Sequence, residues 1–236
     1  MNSTFLTFDN YFPNRYIITL KENTNRHNHF KNELGKVGID NYQIHYSTKF
    51  ILKSIFKNTA SRSMTEAHIN LHKQAREKHN NNVAIFEDDI CFVDNFKEKI
   101  KPILADLDNQ DWDIFYFFKP IKGNPSDYDA QRGYILEKFD SGLVKTIGTI
   151  NTHATAINIK NIDKIINTYN LDYIKQLPLQ IRIIDKSLSN SGLNMYACSE
   201  DLIYQSEKFP SSTINANPKA SLFENLKLYI KPVGNG

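Results

Sequence analysis

Three consecutive carboxylates, Glu87-Asp88-Asp89, follow directly on the apolar run Val83-Ala84-Ile85-Phe86. A triplet of acids is costly unless it is solvated or neutralised. A short continuous apolar run is what a central strand covered on both faces requires. In open α/β sheets, ligands bind at the carboxyl ends of the strands. A hard divalent cation prefers carboxylate oxygens and keeps positions open for water or phosphate. An acidic strand end of this kind can therefore bridge, through a metal, to a diphosphate. The same three residues also suit a solvated acidic turn or a helix cap, and the motif by itself does not separate these readings.

The elements around the triplet set its position. Tyr16-Ile17-Ile18-Thr19-Leu20 is a β-rich run bounded by Pro13-Asn14 and a polar segment. A helix is expected next, capped by Asn23 or Thr24, carrying His27, Phe30, Leu34 and Val37 on one stripe and ended by Gly35 and Gly38. Tyr42 to Tyr46 alternates as a second strand, so the chain opens as a wound α/β domain. Ser63-Met64-Thr65-Glu66 fits a capping box, predicting a helix from Ser63 with Met64, Ala67, His68, Leu71 and Ala75 on one face. Beyond the triplet, Asp94 is expected to cap a helix that Pro102 kinks or interrupts. Asp113 to Phe118 reads as another buried strand, and Lys119 to Asp140 as a long loop or irregular hairpin. Short strands are expected at Leu143–Ile147, Ala154–Ile159, Asn194–Ala197 and Leu202–Gln205, with a short helix over Arg182–Leu188. His153 precedes one of these strands as a further, weaker polar candidate.

Composition bounds the function classes. With 236 residues, 40% of them hydrophobic and 23% charged, the chain suits one folded domain, read as residues 1–236 with a core over about 15–209 and a C-terminal tail over 210–236. Lys+Arg 29 against Asp+Glu 26 leaves +3. That is too little positive charge for a nucleic-acid binder held by phosphate neutralisation, though it allows peripheral contact with an anionic membrane surface. Cys91 and Cys198 make no disulfide framework and read as two buried free thiols of a protein kept in a reducing, cytoplasmic compartment. Met1 to Asn10 lacks the basic start and apolar core of a signal peptide. The longest apolar stretches, such as Ile114 to Phe118, are too short to cross a membrane.

The order of Tyr16–Leu20, Arg26, Ser63–His68, Ile85–Asp89 and Trp112–Tyr116, followed by Thr155-Ala156-Ile157-Asn158 and by Asp185 with Leu188 as a D-x-x-L element, resembles glycosyltransferase family 25. That family includes the lipooligosaccharide and collagen galactosyltransferases. The resemblance covers roughly residues 15 to 205. Ser63 stands where the family usually has glycine, and Ala67 where it usually has serine before the histidine.

The resemblance implies an α/β, GT-A-type nucleotide-sugar-binding fold, with a mostly parallel central sheet flanked by helices. It implies a metal-dependent, inverting transfer of galactose or glucose from a UDP-sugar to a glycan or protein acceptor. Thr19 and Arg26 would contact the nucleotide or its phosphates, and His68 would line the donor site. Glu87 and Asp89 would bind Mn²⁺ or Mg²⁺, with Glu87 also facing the donor, while Asp88 would hold the ribose or an adjacent backbone group. Asp185 is the candidate general base, with Asp201 or Glu200 behind it; a helix-cap or surface role suits Asp185 equally. Two other readings compete with transfer. One is a metal-dependent nucleotidyl or phosphoryl transferase, which the absence of a Walker-type loop disfavours. The other is a non-catalytic carbohydrate- or protein-binding relative, which has no need of three clustered acids.

Overall fold

The first strand sets the frame for the sheet. In the computed structural model, which describes residues 6–48, 59–122, 132–168, 184–189 and 191–209, a short helix α1 (Phe8–Tyr11) leads into β1 (Asn14–Thr19). Helix α2 (Thr24–Lys36) returns the chain to β2 (Gln43–Tyr46), which lies parallel to β1. Gly38, at φ +61°, lets the Ile39 N–H reach back to the Leu34 carbonyl at 2.9 Å and stop α2. Helix α3 (Thr59–Lys78) then carries the chain past β1 to β3 (Val83–Glu87), parallel on its other side. Right-handed crossovers put α2 and α3 on opposite faces.

Next come β4 (Ile90–Phe92), α4 (Phe96–Asp108), β5 (Ile114–Tyr116), β6 (Ile135–Lys138), β7 (Leu143–Thr146) and β8 (Ala154–Ile157). A 3₁₀ turn (Ile159–Asn161) enters α5 (Ile162–Thr168), and α6 (Ile184–Ser189), β9 (Met195–Cys198) and β10 (Ile203–Gln205) complete the described elements. The main sheet has eight strands in the order β2-β1-β3-β8-β5-β9-β7-β6. All run one way except β7 and β8, so the expected α/β fold with a mostly parallel sheet is present, with two reversed strands inside it. β4 and β10 pair antiparallel as a separate ribbon.

Val83 to Phe86 are fully buried, as a central strand demands. Beside them Phe8, Phe12, Phe96 and Phe117 meet at ring distances of 5.1 to 5.9 Å. The α1 residue Tyr11 accepts a hydrogen bond from Trp112 Nε1 at 3.1 Å.

Several local expectations are overturned. Helix α3 begins at Thr59, not at Ser63, whose hydroxyl lies 2.6 Å from that of Ser47 and ties the helix to the end of β2. Asn95, in the left-handed region, takes the N-cap of α4 in place of Asp94. Pro102 sits on the solvent side of α4 and does not interrupt it, because Ile100, Ile103, Leu104 and Leu107 anchor the buried side. Part of the segment read as loop, Ile135–Lys138, forms the edge strand β6. Cys198 is buried, but Cys91 is only partly so. The expected start of the last helix, Arg182, lies outside the described residues, and α6 runs on to Ser189.

The chain divides into one unit spanning Met1–Ser206 and another spanning Glu207–Gly236, of which Glu207–Phe209 are described. Among the described residues, no helix is long and apolar enough to cross a membrane.

Candidate active site at the end of the first and third strands

Strands β1 and β3 are neighbours, yet the chain leaves them in opposite directions. From β1 it goes through α2 to β2, and from β3 through α4 to β5, on the far side. That divergence makes their carboxyl ends a switch point, the place where open α/β sheets bind ligands. The parallel register pairs Ile18 with Glu87, which brings Thr19 beside Asp88. The Thr19 hydroxyl donates to Asp88 Oδ2 at 2.5 Å. Arg26, in the first turn of α2, donates to Asp88 Oδ1 at 2.6 Å and to Asp89 Oδ2 at 3.1 Å. Four of the expected residues, Thr19, Arg26, Asp88 and Asp89, are thus bonded to one another, and Glu87 adjoins them at the strand end.

Among the described residues, three carboxylates gather here around one guanidinium, that of Arg26. Burial pushes the Glu87 carboxyl well above the usual carboxylate range, and the neighbouring Asp89 and Asp88 push the same way; Arg26 and a hydrogen bond with Thr152 oppose them. Burial raises Asp89 as well, against the pull of Arg26. Burial works against the Arg26 charge, but its two aspartate partners outweigh it and its pKa lies above the ordinary value. Among the described residues, shifts with these causes mark a cluster with more acid than base.

A hard divalent ion suits such a cluster, since it can be held through one or two carboxylates while water and phosphate fill its other positions. Among the described residues, no group of three or more His, Cys, Asp or Glu side chains is disposed to enclose an ion by itself. Glu87 and Asp89 are the two carboxylates here that a divalent ion could use, and they do not by themselves enclose one.

A second cluster lies beside the first. Asp185, in α6, is buried and accepts from Arg132 Nη1 at 2.9 Å and from the Asn151 backbone N–H at 3.3 Å. Asn151 Nδ2 donates to Gln205 Oε1 at 3.3 Å, and Gln205 Nε2 reaches Asp89 Oδ1 at 3.5 Å. Topology explains both links. β8 runs antiparallel to β3, so the residues that precede it, Asn151 to His153, pass the acid triplet, and the Glu87 N–H donates to the His153 carbonyl at 2.8 Å. β10 pairs with β4 so that Gln205 faces Ile90, next to Asp89.

His68 makes no hydrogen bond to the acids among the described residues. It is buried on α3 near His72 and His45, its Nε2 has no hydrogen-bond partner among the described residues, and burial followed by the His45 charge lowers its pKa to about 3. His153 stacks on Phe118 at 4.0 Å and is held neutral by burial, with a pKa of about 4. Glu200 and Asp201 are exposed, and Asp201 accepts from the Lys119 N–H at 2.9 Å instead of backing Asp185.

Reading the sequence missed Arg132, Asn151, Thr152 and Gln205. These are ordinary polar residues in loops or at a ribbon end, and only the strand register brings them to the site.

The sequence profile of glycosyltransferase family 25 (LPS biosynthesis protein) matches residues 12–169, two thirds of the chain. The chain belongs to that family. The match includes Thr19, Arg26, the acid triplet and Asn151, and stops short of Asp185 and Gln205.

No curated protein sequence matches. Solved structures similar to it include a glycosyltransferase involved in the glycosylation of the major capsid of PBCV-1, at 11% identity and a TM-score of 0.36. The alignment covers 67% of this chain and 65% of that one, so the chain spans under two thirds of that relative's length. A putative glucose-1-phosphate thymidylyltransferase from Bacillus anthracis, in complex with a sucrose, aligns at 14% identity and a TM-score of 0.35, over 80% of this chain and 69% of that one. Likenesses this distant carry no weight for fold or function.

Proposed function

We propose that the chain transfers a hexose, galactose or glucose, from a UDP-sugar to a hydroxyl of a glycan or glycoprotein acceptor, with inversion at the anomeric carbon. The observation that carries this reading is the convergence of Thr19, Arg26 and the acid triplet at the switch point between β1 and β3, in a chain of a glycosyltransferase family. The binding mode it implies is GT-A-like, with the nucleotide lying across the ends of those two strands.

Arg26 and the first turn of α2 offer the diphosphate a bidentate cation and a positive helix end. Asp88, oriented by Thr19 and Arg26, accepts from a ribose hydroxyl. Glu87 and Asp89 would hold Mn²⁺ or Mg²⁺, which when bound neutralises charge on the departing nucleoside diphosphate. Asp185 receives the acceptor hydroxyl proton as that oxygen bonds to the anomeric carbon, and the bond to the diphosphate oxygen breaks with its electron pair. Arg132 and the Asn151 N–H hold the Asp185 carboxylate in one orientation. The two free cysteines suit work in a reducing compartment.

A thermal-shift panel of nucleotides with Mn²⁺ or EDTA tests this reading. UDP at about 100 times its Kd, with Mn²⁺, should raise the melting temperature by about 5 to 10 °C, and EDTA should remove most of that gain. A response to ATP or CTP alone would point to nucleotidyl or phosphoryl transfer. Indifference to every nucleotide would point to a non-catalytic sugar- or protein-binding relative.

A further inference from the structure

The two acidic clusters come from distant parts of the chain, and the segment Asn151-Thr152-His153 touches both. The Asn151 N–H donates to Asp185 and its side-chain amide donates to Gln205, which in turn donates to Asp89. Thr152 hydrogen-bonds the Glu87 carboxyl, and the His153 carbonyl accepts the Glu87 N–H. Asn151 sits at φ +87°, one of two non-glycine residues with positive φ among those described. Asparagine is among the residues that enter that region most readily, and at this position the conformation lets backbone and side chain serve different partners.

The loop just before it is seated against α6. Gly148 is at φ +61°, and a Cβ there would lie 2.1 Å from Ser189 Oγ and 3.2 Å from Ser189 Cα. Ser189 in turn donates to the carbonyl of Asp185 at 2.9 Å. Among the described residues, this stretch of backbone links Asp185 to the triplet.

We propose that Asn151 is a positioning residue that keeps the donor-side acids Glu87, Asp88 and Asp89 in register with Asp185, acting through its N–H on one side and through Gln205 on the other. Its role in turnover rests on the glycosyl-transfer reading above; its role in coupling the two clusters does not. Misplacing a reacting group by about 1 Å lowers turnover on the order of a hundredfold, so register loss should act on kcat while nucleotide binding persists.

The test uses the full chain and two readouts. In the first, UDP release from UDP-galactose or UDP-glucose with Mn²⁺, water serving as acceptor, is compared with UDP binding by calorimetry. Asn151→Gly keeps the backbone conformation and removes only the amide. It should bind UDP within about threefold of the native chain while kcat falls on the order of a hundredfold. Native kcat in Asn151→Gly, or loss of UDP binding in it, would overturn the proposal.

The second readout needs no substrate. Gln205→Leu and Asp185→Asn, whose side chains are linked through Asn151, should shift the melting temperature non-additively by about 2 °C or more, and become additive in an Asn151→Gly background. Additivity in the native background would overturn the coupling. A native chain that neither binds UDP nor releases it from either sugar would instead defeat the functional reading, leaving the melting cycle to decide the coupling.

Discussion

Two buried acidic positions stand at opposite ends of the sheet, and both belong to elements that carry the family resemblance. At the amino end of β5, Asp113 is fully buried; its Oδ2 accepts from Lys164 and, at 2.7 Å, from the Asn194 N–H. Trp112 beside it bonds Tyr11 through Nε1, and its carbonyl accepts from Asn158 and Asn161. One acid meets one cation, and every bond named ties elements of the fold together. At the carboxyl ends of β1 and β3, three acids gather around Arg26 among the described residues, and burial and mutual repulsion raise Glu87 and Asp89. A matched carboxylate stabilises the fold, whereas crowded acids with raised pKa values are a feature of functional sites, held at some expense of stability.

The largest expected contrast is in turnover. Asp89→Asn should lower it by at least about a thousandfold, roughly 4 kcal/mol of barrier, while circular dichroism and melting remain native-like. Retained turnover would break the comparison by removing the site from the acidic end. Asp113→Asn should do the reverse, lowering unfolding free energy by about 2 to 3 kcal/mol in urea titrations while the folded fraction keeps its activity. Its magnitude is held down because Lys164 is half-exposed and screened.

How far the sequence reveals these two ends depends on distance along the chain. Thr19, Arg26 and Glu87 to Asp89 are legible because each follows a strong local signal, a β-rich run or an apolar run, and parallel pairing of β1 with β3 then aligns them. The Asp185 side is not legible in the same way. A four-residue run such as Ala154–Ile157 does not state its direction, and only its reversal against β3 brings Asn151 and Thr152 to the acids. Gln205 depends on a ribbon whose strands lie more than a hundred residues apart, and Arg132 falls within a stretch whose polarity reads as loop. The Ser63 capping box failed for the opposite reason, since a local signal was outvoted by the contact of that hydroxyl with Ser47.

Acid titration sharpens the comparison through its sign. His68 is buried neutral with its pKa lowered to about 3, so the unfolded chain binds the proton first as pH falls below 6.5. Its contribution is intact above 6.5 and should be eroded by about 2 kcal/mol at pH 5. Raised carboxyls act oppositely: their protonated forms favour the folded state at low pH, and that advantage is lost as pH rises through their folded pKa values. Melting curves of His68→Phe against the native chain between pH 5 and 8 isolate the histidine part, and the variant should show the flatter dependence.

A smaller effect is expected at Arg26. Arg26→Gln should weaken UDP binding about tenfold, roughly 1.4 kcal/mol, with the loss growing as salt is reduced. An unchanged Kd would leave the guanidinium as a partner of Asp88 and Asp89 with no share in holding UDP.

The most direct test is the melting temperature of Glu87→Gln at pH 8 in a metal-free buffer. If the acidic end is short of positive charge, removing one carboxylate should stabilise the chain by about 1 kcal/mol, a rise of about 2 to 4 °C, and should weaken the further rise produced by UDP with Mn²⁺. A lower melting temperature together with an undiminished UDP response would contradict the account, because Glu87 would then be a matched structural acid like Asp113.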